Sequence, residues 1–189
     1  MIKVLTAAAL LAAPFAANAV VIDFDPLEEA GNGFVSLGGT YSEDGFTISA
    51  PTLFYARQGD VRYAGSAGAH ARTVNGVIEM ILSAGGSAFS VASIDLSILN
   101  GNGVSPDVTF EGTLAGGGTV SQTFSVDTFG FVTKTLSGFN NITSLTWRQG
   151  PNDFNAHQFD NIVVRVAEPG TLALLGLGLF GLAAARRRS

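Results

Sequence analysis

The chain has 189 residues, no cysteine and a formal net charge of −5; that length holds one domain of ordinary size, and without cysteine neither a disulfide framework nor a thiolate metal site is available. Between Val20 and Ala167 six basic side chains face fourteen acidic ones, a net charge of −8. The six are scattered, which excludes nucleic acid as a partner, because phosphate binding needs clustered Lys and Arg.

The first element in chain order is a secretory signal. Met1-Ile2-Lys3 is a charged n-region, Val4 to Ala17 an apolar h-region, and Ala17-Asn18-Ala19 a small-x-small cleavage site. Residues 1–19 are therefore expected as a signal-peptide helix cut after Ala19, with Ala17 and Ala19 as the cleavage determinants. The alternative is a buried first helix.

From residue 20 to residue 166 no run keeps helical spacing, and strand patterns follow one another. Candidates are Val20 to Asp25, Phe46 to Ala50, Val77 to Leu82, Phe89 to Leu99, Val108 to Leu114, Val120 to Val126, Phe131 to Leu136, Ile142 to Arg148 and Phe159 to Val166. Gly116-Gly117-Gly118 between two of them reads as a β-hairpin turn. About nine or ten short strands divided by Gly, Asn, Asp and Ser predict an all-β domain, an antiparallel two-sheet β-sandwich of jelly-roll type.

Several residues carry candidate chemistry. Asp23, Asp25 and Asp160, with Glu28, Glu29, Asp153 and Asn155 nearby in sequence, supply oxygen ligands that pairing of the first and last strands would bring toward a structural Ca2+; solvated turn carboxylates are the alternative. No other cofactor is expected. Tyr41, Tyr55 and Tyr63 are the ligand-facing rings for a glycan, whereas Trp147, in step with Leu145, is expected in the core. Ala64-Gly65-Ser66-Ala67-Gly68 has a faint likeness to a nucleophile elbow and reads better as a flexible loop. His157 beside Asp160 reads as a surface or strand-edge histidine, since two histidines without cysteine rarely hold zinc.

The tail, residues 167–189, has three parts. Glu168-Pro169-Gly170 is followed by fifteen uncharged residues, Thr171 to Ala185, and by Arg186, Arg187 and Arg188. As a helix the apolar run is about 22 Å long at ~1.5 Å per residue, short of a ~30 Å hydrocarbon core, so this transmembrane helix spans only marginally. The arginines set its topology, holding the C-terminus on the cytoplasmic side. Gly176-Leu177-Gly178-Leu179-Phe180-Gly181 has the letters of a dinucleotide-binding turn, but no strand precedes it and the chain ends eight residues later.

The order Glu-Pro, Gly- and Leu-rich apolar run, triple Arg resembles the PEP-CTERM protein-sorting signal, with Ala167 where the family has its first proline. The resemblance implies a membrane-embedded exosortase as processing partner, with Glu168 and Pro169 as the recognition motif. It also implies transient inner-membrane anchoring and delivery to the surface of a Gram-negative, exopolysaccharide-producing bacterium. More loosely, Ile22-Asp23-Phe24-Asp25 and the run Gln158 to Val164 resemble the first and last strands, paired with each other, of galactose-binding-like sandwiches. The expected protein is thus an exported, noncatalytic structural or adhesive sandwich with exopolysaccharide as an associated partner. The alternatives are a glycan-binding module and a secreted hydrolase or lyase on the same scaffold.

Overall fold

Alternation of apolar and polar side chains builds the strands. In β7 (Asp107–Leu114) Val108, Phe110 and Gly112 are buried while Asp107, Thr109, Glu111 and Thr113 are exposed. A turn closed by Leu114 N–H on the Gly118 carbonyl, 3.0 Å, returns the chain as β8 (Thr119–Ser125). This is the hairpin that the triple glycine predicts. A computed structural model describes residues 18–71, 77–82, 86–101, 107–149 and 156–166, and Ala19–Val166 is one compact unit.

The other strands are β1 (Asn18–Ile22), β2 (Phe34–Glu43), β3 (Phe46–Ala56), β4 (Ala69–Ala71), β5 (Val77–Leu82), β6 (Phe89–Ile98), β9 (Val132–Thr135), β10 (Ile142–Arg148) and β11 (His157–Val166). They form one eleven-stranded sheet in the order β8-β7-β10-β5-β3-β4-β11-β6-β9, with β2 on β3 and β1 on β11. First and last strands pair, as the second resemblance implies. The expected two layers are present but joined. Short β4 pairs with both β3 and β11, and a bridge between Ile142 and Phe89 ties β10 to β6 on the far side.

The aromatic rings between the layers show how the sheet folds over its core. Trp147 of β10 meets Phe159 of β11 edge-on at 5.0 Å, and Phe46 of β3 meets Phe89 of β6 at 5.4 Å. All four are buried, Trp147 on the core face as its spacing predicts. The path's two outer strands are also bridged: Gln122 of β8 donates through Nε2 to the Thr135 carbonyl of β9 at 3.3 Å. Its Oε1 accepts from Ser137 N–H at 2.9 Å. An amide thus occupies backbone groups that an open edge would leave for another chain.

Ala19 lies within β1, so a cut after it leaves that strand starting at Val20. Residues 1–17 of the expected signal peptide, Ala17 among them, lie outside the described residues, as do Asp153, Asn155, Glu168, Pro169, Arg186, Arg187 and Arg188. Among the described residues no helix is long and apolar enough to cross a membrane.

Candidate functional site

Among the described residues a polar constellation lies where residues 23–33 meet residues 57–68. A left-handed Phe24 (φ 55°) turns the chain out of β1 into a single 3-10 turn, Asp25–Leu27, opened by Pro26. The following loop is stitched to the other by backbone bonds: Arg57 N–H to Gly33 O at 3.1 Å, Gln58 N–H to Glu29 O at 3.1 Å and Gly59 N–H to Gly31 O at 2.7 Å. Glycine is required at 59, since a Cβ there would lie 2.7 Å from the Gly31 carbonyl oxygen.

Side chains reinforce the seam. Tyr63 donates to both Glu28 oxygens at 2.8 and 3.0 Å, and Gln58 Nε2 donates to Glu28 Oε2 at 2.8 Å. Tyr55 donates to Glu29 Oε1 at 2.5 Å, and Arg57 Nε reaches the same oxygen at 2.9 Å. Hydrogen bonds from Tyr55 and Arg57 hold the Glu29 carboxyl below its ordinary range. Burial and the carboxylates push both phenols, Tyr55 and Tyr63, up to about 12. Arg62 lies 4.5 Å over the Phe34 ring and bonds Asn100 Oδ1 at 3.2 Å.

Each of the three tyrosines named from sequence has its hydroxyl committed to a carboxylate. Tyr55 is 6% exposed, so its ring is not offered to solvent as expected. Tyr41 is half-buried, stacks on Phe24 at 4.9 Å and donates to Glu43 Oε2 at 3.0 Å; burial, then Glu43, raise its phenol pKa. Aromatic rings without an obvious partner in sequence found carboxylates up to 35 positions away. Glu28→Ala, which removes the acceptor of Tyr63 and Gln58, is expected to speed tryptic cleavage after Arg62 in limited proteolysis. An unchanged cleavage rate would show that the seam does not pin this loop.

Beneath the seam lies Asp160, wholly buried and opposite Asp95 in the β11–β6 ladder. Asn161 follows it at φ 46°, where the register shifts between Asp160 and Val163. That bulge aims the Asn161 amide at both acids: Nδ2 is 3.1 Å from Asp95 Oδ2 and 3.3 Å from Asp160 Oδ2. Asn161 N–H donates to Asp160 Oδ1 at 2.7 Å, and Ser66 donates its hydroxyl to Oδ2. Burial pushes the Asp160 carboxyl up to about 7 against the lowering effect of these donors.

The expected flexible loop at 64–68 is instead packed. Ala67 is buried, Ser66 is committed to Asp160, and a Cβ on Gly68 would lie 2.2 Å from the Phe131 ring. His157 is also not at the surface: it is fully buried, and burial pushes its imidazole down to about 3. Its position at the start of β11, paired with Ile98, places it inside rather than on an edge.

The three carboxylates expected to share a cation sit differently. Asp23 Oδ1 accepts from Asp25 N–H at 3.0 Å on the side of Glu43, whereas Asp160 binds Ser66 and Asn161. Asp25 is close enough to raise the Asp160 pKa, as is Asp95. Among the described residues no group of three His, Cys, Asp or Glu side chains converges to hold a metal ion.

No curated protein matches this chain. Among solved structures it is similar to a family 29 carbohydrate binding module, 14% identical over 80% of this chain and 90% of that one, with a TM-score of 0.40. It is also similar to mutants of such a module complexed with mannohexaose (14%, 80% and 94%, 0.40) and with cellulohexaose (14%, 79% and 90%, 0.38). Likeness at this level leaves the ligand to be read from this chain's own residues. The tail gives a direct answer: residues 166–188 match the family model of the PEP-CTERM protein-sorting motif, so the chain carries a signal for exosortase sorting and is an exported protein routed through the membrane.

Proposed function

We propose that the chain is a noncatalytic structural or adhesive protein that the sorting tail delivers to the cell surface or extracellular matrix of a Gram-negative bacterium. The observation that carries this reading is the junction. The compact unit and β11 both end at Val166, and the matched sorting motif begins at that residue. A folded body is thus followed directly by its address, with exopolysaccharide as the neighbouring material.

The noncatalytic part rests on where the chemistry-bearing groups sit. Both histidines, His70 and His157, and the near-neutral Asp160 are fully buried, and a general acid or base must reach the proton it moves.

The test is sorting in the exporting host. Glu168→Ala, and separately deletion of Arg186 to Arg188, are expected to leave the chain in the membrane fraction and deplete it at the surface. Normal surface delivery of both variants would overturn sorting by this motif.

A further inference from the structure

In the layer formed by β2, β3, β5, β10, β7 and β8, the outer faces of the strands flanking β5 carry rows of hydroxyls. Following Cα partners across the six strands, one row runs Thr40, Ser49, Glu79, Thr146, Glu111, Ser121. The next, two residues along each strand, runs Ser42, Thr47, Ile81, Ser144, Thr113, Thr119. Leaving β5 as register positions only, nine of the ten remaining places are Ser or Thr. A further pair, Thr109 and Thr123, extends the lattice on β7 and β8. The face is about 24 Å wide, five steps at ~4.8 Å.

These hydroxyls are held before any ligand arrives. Ser42 and Thr47 lie 2.9 Å apart across β2 and β3, Thr109 and Thr123 2.8 Å apart across β7 and β8. Thr146 Oγ1 donates to the Glu111 carbonyl at 3.3 Å. β-Branched threonine has few χ1 states to lose, so ordering such a surface on binding costs little.

The composition of the face selects its partner by elimination. Among the described side chains, those of the strands flanking β5, it shows no cluster of the aromatic and apolar groups that protein interfaces use at their centre. It lacks the basic cluster that nucleic acid or an anionic membrane needs. What matches a surface of groups that both donate and accept is a ligand of the same kind, and the net negative charge of the body disfavours an anionic one. Because hydroxyl bonds exchanged with water are individually weak, only an extended ligand touching many of them is retained.

We propose that this hydroxyl lattice is the surface by which the domain binds extended, uncharged polysaccharide. The proposal rests on the surface-protein reading above and gives it a ligand class.

The test uses the full-length chain, solubilised from membranes, in sedimentation with insoluble β-glucan and β-mannan, and affinity electrophoresis in alginate as the anionic comparator. Replacing Thr109, Thr113, Thr119 and Thr123 by Val keeps volume and β-branching and removes four hydroxyls. This variant is expected to lose about tenfold or more in apparent affinity for the neutral glycan, as loss of several weak hydrogen bonds implies. Replacing the same four by Ser keeps the hydroxyls and is expected to stay within about twofold of wild type. Equal retention of the Val variant would overturn the lattice as the binding surface. Failure of the wild type on every neutral glycan, or a preference for alginate, would overturn the ligand class. Neither result touches sorting, which Glu168→Ala reads separately.

Discussion

Asp160→Asn is expected to change the slope of stability against pH, because it removes one of two buried groups whose proton uptake opposes the other's. The Asp160 carboxyl is pushed from 3.8 to about 7 by burial, so between those values the folded state keeps a proton that the unfolded chain has released. Stability falls as pH rises through that window. His157 is pushed from 6.5 to about 3, so between those values the unfolded chain holds a proton that the folded state refuses. Stability there rises with pH.

From about pH 4 to pH 6.5 the two contributions oppose one another, each worth up to about 1.4 kcal/mol per pH unit. In Asp160→Asn the histidine acts alone, and the melting midpoint is expected to climb between pH 5 and 6.5 by about 3 °C per pH unit relative to wild type. His157→Leu is expected to tilt the profile the other way. Parallel melting profiles for wild type and Asp160→Asn would refute the raised Asp160 pKa.

The largest single loss of stability is expected at Trp147. Its indole is 1% exposed and lies 5.5 Å from the Phe110 ring and 5.0 Å from Phe159, so it joins three strands from both layers. Trp147→Ala should cost about 3–5 kcal/mol, a large share of the 5–15 kcal/mol typical of a domain. That lowers the melting midpoint by about 10 °C. Trp147→Phe should cost much less than its lost volume suggests, because the indole N–H has no hydrogen-bond acceptor among the described residues. Removing an unpaired buried donor returns about 1–3 kcal/mol. Equal losses for Phe and Ala would overturn this, since they would mean that the indole N–H stabilises the folded body instead of burdening it.

Strands with clean alternation were legible in the sequence, and those without it were not. β7, β8 and β10 follow period two, and the core position of Trp147 is readable from its step with Leu145. β2 is not legible because Gly38 and Gly39 interrupt its pattern, and the ladder to β3 shifts register there. β4 has three residues, Ala-His-Ala, inside a Gly/Ala-rich stretch, yet it joins the layers. Its role depends on partners far along the chain.

The seam was legible only in its parts. Glu28, Glu29, Tyr55 and Tyr63 stood out as ligand candidates, but nothing in their spacing tells that they satisfy one another. The burial of His157 was likewise hidden, because a histidine beside an aspartate in sequence carries no mark of depth. The hydroxyl lattice needed the register: single Ser and Thr residues become rows only when six strands are aligned.

The position of β11 in the sheet has a consequence for the order of events during export. The last strand among the described residues pairs with β1, β4 and β6, so a chain threaded across a membrane from its N-terminus cannot complete the body until residues 157–166 emerge. The sorting motif begins at residue 166. Arrival of the tail and closure of the sheet therefore fall at nearly the same moment, and a processing enzyme that waits for the tail meets a body that has only just become able to fold.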